Sequence, residues 1–105
     1  MKENYFSLIG GARINMMNAS IPFAELSVFR KGLRLSCLGN EYFFARDRIV
    51  ALSRYKGLFS TGLRIHHTVP VYPDFIVFWV SVFLMKSRFA SLREKLKDFG
   101  YEVNL

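Results

Sequence analysis

A hydrophobic segment near the end of the chain is the feature that most constrains the fold. Residues 75–82 place large apolar side chains on both faces of an extended strand, which is typical of a strand buried on two sides. The segment that follows, about 86–99, has an apolar residue every three or four positions and therefore predicts a helix with one apolar face. The residues of this stripe are Phe89, Leu92, Leu96 and Phe99. Such a helix must cover an apolar surface, and we expect that surface to be a curled β-sheet.

The rest of the chain alternates between apolar and polar residues in short stretches, which predicts six further strands. We place them at 7–15, 23–29, 33–37, 42–45, 49–55 and 63–69. Gly10 and Gly11 predict a bulge within the first strand, and Gly100 predicts the C-terminal cap of the helix. We expect turns at 18–22, with Pro22 beginning the next strand, at 30–32, with Gly32 at positive φ, and at 39–40. The chain has 105 residues and forms one domain, 1–105.

The charge of the chain favours acidic partners. It carries 15 Lys and Arg against 8 Asp and Glu, a formal net charge of +7. This excess suits a nucleic acid, an anionic membrane or an acidic protein, or else only keeps an apolar-rich domain in solution. The single cysteine, Cys37, excludes an internal disulfide and favours a reducing compartment. We expect a soluble cytoplasmic protein, with peripheral contact at the inner membrane surface left open, because no apolar run reaches the length of a spanning helix.

Residues that could carry catalysis or bind a metal are not grouped in a recognisable motif. His66 and His67 are adjacent on a predicted strand, so their side chains point to opposite faces and are not expected to bind one metal ion. Cys37 falls in phase with Leu33 and Leu35 and is expected to face the core as an unreactive thiol. We therefore expect no catalytic residues, no metal and no cofactor, and a protein that is not an enzyme.

Two basic regions are candidate binding sites. In the first, a loop framed by two glycines combines an apolar tip with cations, and its candidate residues are Arg54, Lys56, Leu58, Phe59 and Arg64. An exposed Phe59 would suit an anionic membrane interface or a partner's pocket, whereas a Phe59 that folds inward would close one end of the barrel. The second region is a patch around the third and fourth strands, formed by Arg30, Lys31, Arg34, Arg46 and Arg48. Its aromatic neighbours sit at core positions, which disfavours nucleic acid.

The order of elements, seven short strands and then one helix, resembles the pleckstrin-homology-like (PH-like) superfold, including its GRAM-type and small bacterial members. The segments that carry the resemblance are Ile21–Phe23 with Leu26, Lys31–Leu35, Arg46–Val50, Gly62–His66, Phe75–Trp79 and Gly100–Val103. The resemblance implies a seven-stranded bent barrel capped by the helix of about 86–99. It covers nearly the whole chain. In lipid-binding members a basic first hairpin holds inositol phosphates, but here the connection 16–20 has no Lys or Arg.

The resemblance implies a non-catalytic binding or adaptor module. We expect a protein partner, bound at an open sheet edge or through the 54–64 loop. The alternative is peripheral binding to an anionic membrane through that loop and the basic surface. Self-association is also open, because exposed sheet edges can pair with a second copy.

Overall fold

The fold is a single curled β-sheet with one helix packed against it. A computed structural model describes residues 4–57, 60–82 and 87–104. The strands are β1 (Tyr5–Ile14), β2 (Met17–Phe29), β3 (Gly32–Cys37), β4 (Asn40–Ala45), β5 (Ile49–Lys56), β6 (Ser60–His67), β7 (Ile76–Val82) and β8 (Val103–Asn104), with helix α1 at Ser87–Asp98. Their order in the sheet is β4-β3-β2-β1-β7-β6-β5-β8. The mainly β architecture with a C-terminal helix is confirmed, but the described sheet has eight strands rather than seven, because a two-residue β8 adds in parallel to β5.

Strand β1 joins the two halves of the sheet. It pairs with β2 along its length and with β7 from Gly11 to Ile14. The predicted bulge is confirmed, since the β1–β2 register shifts between Gly10 and Ala12. A Cβ on Gly10 would lie 2.3 Å from the carbonyl oxygen of Trp79. The strand therefore bends where only glycine lets two neighbouring strands approach this closely.

Helix α1 covers the concave side of the sheet. Phe89, Leu92 and Leu96 are buried in the core, as their spacing predicts, and Phe99 packs against it. Gly100 follows the end of the helix with a φ of +87°, and the Tyr101 N–H donates to the Leu96 carbonyl over 2.9 Å. This is the glycine cap that the sequence predicts. No helix in the described ranges is long and apolar enough to cross a membrane.

The turns differ from the sequence prediction in three places. Residues 18–22, predicted as a turn, lie inside β2, so Pro22 does not begin a strand. The β3–β4 turn is Leu38–Gly39 rather than Gly39–Asn40, and both of its residues have positive φ. Gly32 pairs within the sheet, where a Cβ would lie 2.5 Å from the Phe44 carbonyl oxygen, so close packing rather than positive φ requires this glycine.

Candidate functional site

A group of arginine and aromatic side chains lies on the convex side of the sheet, over β5, β6 and β7. We call it the basic aromatic face, and its members are Arg13, Tyr55, Arg64, Phe75 and Trp79. Arg13 and Arg64 are both register partners of Val77, from β1 and β6 respectively. Because side chains alternate along a strand, these positions point away from the core-facing Leu63, Phe78 and Ala12.

The two arginines converge on one ring. The guanidinium carbon of Arg13 lies 5.1 Å from the centroid of Phe75, and that of Arg64 lies 4.7 Å from it. Since β1 and β6 flank β7 in the sheet, the cations approach Phe75 from neighbouring strands on either side. The only salt bridge found among the described residues, between Arg34 and Glu41, lies elsewhere on the sheet. Two positive charges are therefore held together without a carboxylate between them.

Aromatic contacts fix the rest of this face. Tyr55 packs edge-on against Phe75, with 5.4 Å between the ring centroids, and its ring is tilted against that of Trp79, with 5.7 Å between the centroids. The indole N–H of Trp79 donates to the Oδ1 of Asn18 over 2.9 Å. Val77, beneath these rings, is fully buried even though it points to the convex side. The aromatic rings thus form a small second cluster outside the main core, with each ring partly open to solvent.

Arg64 is partly desolvated. Its Nε is buried and has no hydrogen-bond partner among the described residues. The neighbouring His66 shares a hydrogen bond of 2.9 Å between its Nε2 and the Oγ of Ser53. Burial, followed by the positive charge of Arg64, lowers the pKa of His66. Only the smaller cause reflects the charge of Arg64, and that charge would also attract an anion.

The structure brings together only some of the residues that the sequence predicts for the loop site. Leu58 and Phe59 lie outside the described residues. Gly57, which precedes them, lies so close to Trp79 that an added Cβ would be 2.9 Å from the ring, so the loop leaves β5 beside the basic aromatic face. Arg54 and Lys56 are exposed on β5 but alternate with Tyr55, and they therefore point to the opposite side of the strand from Arg64.

The predicted basic patch includes two arginines that lie over aromatic rings. Arg34 lies 5.2 Å over the ring of Phe29 and 3.6 Å from Glu41. Arg30 lies 5.5 Å over the ring of Phe99. Lys31 and Arg48 are exposed at the ends of strands. These contacts orient Arg30 and Arg34 along the protein surface.

Arg46 holds the end of the helix against the sheet. Its Nη1 donates to the carbonyls of Arg30, over 2.8 Å, and Phe99, over 3.1 Å, and its Nη2 donates to the carbonyl of Gly100. A guanidinium can satisfy several acceptors at once because its donors are fixed in one plane. The arrangement indicates a structural role for this residue.

The two histidines are separated, and Cys37 is buried. His67 accepts a hydrogen bond at Nδ1 from the Val69 N–H over 3.0 Å, and its Nε2 lies 2.8 Å from the Pro73 carbonyl oxygen, so Nε2 carries the proton. His66 instead contacts Ser53, on the other side of the strand. Cys37 is in the core, as predicted, and burial raises the pKa of its thiol. Within the described ranges, no three His, Cys, Asp or Glu residues are arranged to hold a metal ion.

Arg13, Tyr55, Phe75 and Trp79 are not among the site residues that the sequence predicts. Phe75 and Trp79 belong to a segment predicted as a strand buried on both faces, and Arg13 belongs to neither of the two predicted basic regions. The signal that could have found them is the spacing of Phe75, Val77 and Trp79, which places them on one side of β7. That spacing does not reveal that β1 and β6 are the neighbours of β7.

Comparison with known proteins adds no assignment, since neither a protein-family model nor a curated protein matches the chain.

Proposed function

We propose that this protein is a non-catalytic binding module of the PH-like kind that attaches to anionic membrane surfaces through its basic aromatic face. It would act in the cytoplasm, at the inner surface of the membrane. The observation that carries the proposal is the pair of arginines, Arg13 and Arg64, held against Phe75 without a carboxylate partner among the described residues.

The strand order supports the PH-like part of the proposal. Strands β1 to β4 and β5 to β7 form two antiparallel meanders that meet through β1 and β7. The helix follows the last long strand and packs against β7 and β6. This arrangement has the bent sheet and the C-terminal helix that the resemblance implies, with β8 as an addition.

The chemistry of the face supports an anionic membrane as the ligand. Tyr and Trp rings suit the interfacial region of a bilayer, where their apolar bodies are buried and their polar atoms stay hydrated. Each basic side chain near an anionic surface contributes about 1 kcal/mol. Two arginines and a few partly open rings therefore predict weak binding that depends on salt.

Vesicle co-sedimentation tests the proposal. Wild-type protein is mixed with vesicles of phosphatidylcholine alone or of phosphatidylcholine with phosphatidylglycerol, at low and near-physiological salt. We expect binding to the anionic vesicles only. Arg64→Gln and Arg48→Gln each remove one positive charge, and Arg48 is exposed away from the face, so only Arg64→Gln should weaken binding several-fold. Equal losses in the two variants would show attraction to net charge alone and would contradict the proposal.

Further variants test the loop and the fold. Lys56→Glu and Phe59→Ala should each weaken vesicle association if the β5–β6 loop takes part. Arg64→Lys keeps the charge but not the planar contact with Phe75, and it separates charge from geometry. Circular dichroism must show that every variant is folded before its binding is compared.

A protein partner is the second candidate. The exposed apolar residues on the half of the sheet formed by β1 to β4 favour this candidate. That half carries less positive charge than the basic aromatic face. If the wild-type protein does not bind anionic vesicles at either salt concentration, that result excludes the membrane proposal and leaves a protein partner.

A further inference from the structure

His66 lies on the same side of the sheet as the basic aromatic face. It follows Arg64 by two positions on β6, with the buried Ile65 between them, so the side chains of His66 and Arg64 project to the same side. In the register of β5 and β6, Arg64 is the partner of Ser53 and His66 is the partner of Ala51. The imidazole is therefore a neighbour of a cation on which the proposed function depends.

The hydrogen bond between His66 and Ser53 suits either protonation state of the imidazole. The Nε2 of His66 lies 2.9 Å from the Oγ of Ser53. A hydroxyl group can both donate and accept, so Ser53 accepts from a protonated Nε2 and donates to an unprotonated one. His66 is partly exposed, so a proton can reach it from solvent. Protonation therefore adds a positive charge to this side of the sheet without breaking the contact.

The charged side chains around His66 oppose that proton. Arg64 lies beside it on β6, and Arg13 reaches the same face from β1. Tyr55 is the titratable residue that β5 contributes to this side. Just before β7, Asp74 is exposed, and within the described ranges it forms no salt bridge. Among the described residues, no carboxylate pairs with either arginine to offset the two positive charges.

An anion bound on this face would remove part of the opposition. Burial, and then the charge of Arg64, lowers the pKa of His66 in the free protein. A lipid phosphate against Arg64 offsets the second of these causes and also attracts the imidazolium directly, so the pKa of His66 rises on binding. Coupling between two sites is reciprocal, so a proton on His66 strengthens the binding of the anion by the same factor.

We infer that the basic aromatic face takes up a proton at His66 when it binds an anionic surface, so that attachment to membranes strengthens in mild acid. The inference rests on the proposed membrane function and names the regulator of that site. One more charge near an anionic surface should lower the dissociation constant about fivefold. The gain begins as the pH falls through the pKa of His66 in the bound protein, and it is complete below the lower pKa of His66 in the free protein.

Vesicle co-sedimentation at pH 7.5 and at pH 5 tests the inference. The vesicles contain phosphatidylcholine and phosphatidylglycerol, whose charges are the same at both pH values, and the salt concentration is fixed. We expect wild type to bind about fivefold more tightly at pH 5 and His66→Gln to bind equally at both. The chain has two histidines, and His67 lies on the opposite side of β6. His67→Gln is therefore the matched control, and it should keep the pH effect.

A second measurement needs no variant. NMR titration of the His66 imidazole in wild-type protein is carried out alone, with phosphatidylcholine bicelles and with bicelles that also contain phosphatidylglycerol. We expect only the anionic bicelles to raise the pKa of His66. An unchanged pKa in their presence would show that proton and anion do not share a site, and it would overturn the inference.

The outcomes separate this inference from the proposed function. Equal binding of wild type to anionic vesicles at both pH values overturns the inference and leaves the membrane proposal in place. A pH effect that His66→Gln retains also overturns it, because the proton is then taken up elsewhere. A protein that binds anionic vesicles at neither pH contradicts both. Circular dichroism at pH 5 must show that each protein compared is folded.

Discussion

The guanidinium carbon of Arg46 lies 4.4 Å from the centroid of the Tyr101 ring, and through this contact the end of the helix is tied to the turn after β4. Tyr101 is itself buried, and its hydroxyl donates to the carbonyl of Phe29 over 2.6 Å. The two residues join the helix C-terminus to both neighbouring hairpins. A residue predicted to bind a partner thus has contacts that stabilise the fold.

Replacement of Arg46 should therefore lower stability more than the loss of a surface charge does. We expect Arg46→Ala to reduce the free energy of unfolding by about 2 kcal/mol, since several hydrogen bonds to one charged group are lost at a partly exposed site. Arg48→Ala is the control, and it should change stability by no more than about 0.5 kcal/mol. Urea denaturation followed by circular dichroism measures both. Equal midpoints for the two variants would show that the contacts of Arg46 add nothing.

The lowered pKa of His66 makes stability depend on pH. A histidine whose pKa is lower in the folded state binds its proton more weakly there than in the unfolded chain, so stability falls as the pH drops through the unfolded value of about 6.5. We expect His66→Gln to lose less stability than wild type between pH 7 and pH 5. Denaturation at both pH values tests this.

The contribution of Arg64 to that shift can be measured directly. Arg64→Gln should raise the pKa of His66, because the substitution removes the neighbouring positive charge. NMR titration of the imidazole measures this pKa in both proteins. An unchanged pKa would mean that burial alone is responsible.

Gly10 is the position where an added methyl group should do the most damage. Its Cβ would meet the Trp79 carbonyl at 2.3 Å and the ring of Phe78 at 2.7 Å. We expect Gly10→Ala to cost about 3 kcal/mol, since backbone cannot move aside as a flexible side chain can. Gly39→Ala, where nothing lies within 4 Å, should cost only about 1 kcal/mol through its positive φ of 85°. Thermal melting of the two variants shows whether the substitution in the bend or the one in the turn lowers the melting temperature more.

The hydroxyl of Tyr72 protects an edge of the sheet. It accepts a hydrogen bond of 3.0 Å from the backbone N–H of Phe43 on β4. Tyr72→Phe should leave the ring contacts in place but make the Phe43 amide exchange several-fold faster with solvent. Tyr5→Phe removes a hydroxyl elsewhere and should not alter that amide. Amide hydrogen exchange by NMR resolves the single residue, and an unchanged rate in Tyr72→Phe would contradict the protective role.

More of the fold than of the candidate site can be predicted from the sequence. The stripe of Phe89, Leu92 and Leu96 identifies the helix because spacing along one helix is a local property. The wrong prediction at Pro22 also has a local cause. Residues 18–22 have the composition of a turn, but they lie within β2, next to the bulge at which β1 bends. The apposition of Arg13 and Arg64 depends on β7 lying between β1 and β6. No periodicity within a single strand contains that information, and so the basic aromatic face could not be assembled before the sheet order was known.

The pairing of β1 with β7 has a consequence for synthesis of the chain. Residues 11–14 pair with residues 76–79, so this side of β1 has no partner until residues 76–79 have been translated. During that interval β1 can form only the local hairpin with β2, and its other edge remains available to strands of other molecules. Pairings between distant parts of a chain also form late and slowly. We expect newly made protein to pass through a stage at which crowding on a polysome favours aggregation, and a chaperone that shields extended segments would raise the yield of folded chains.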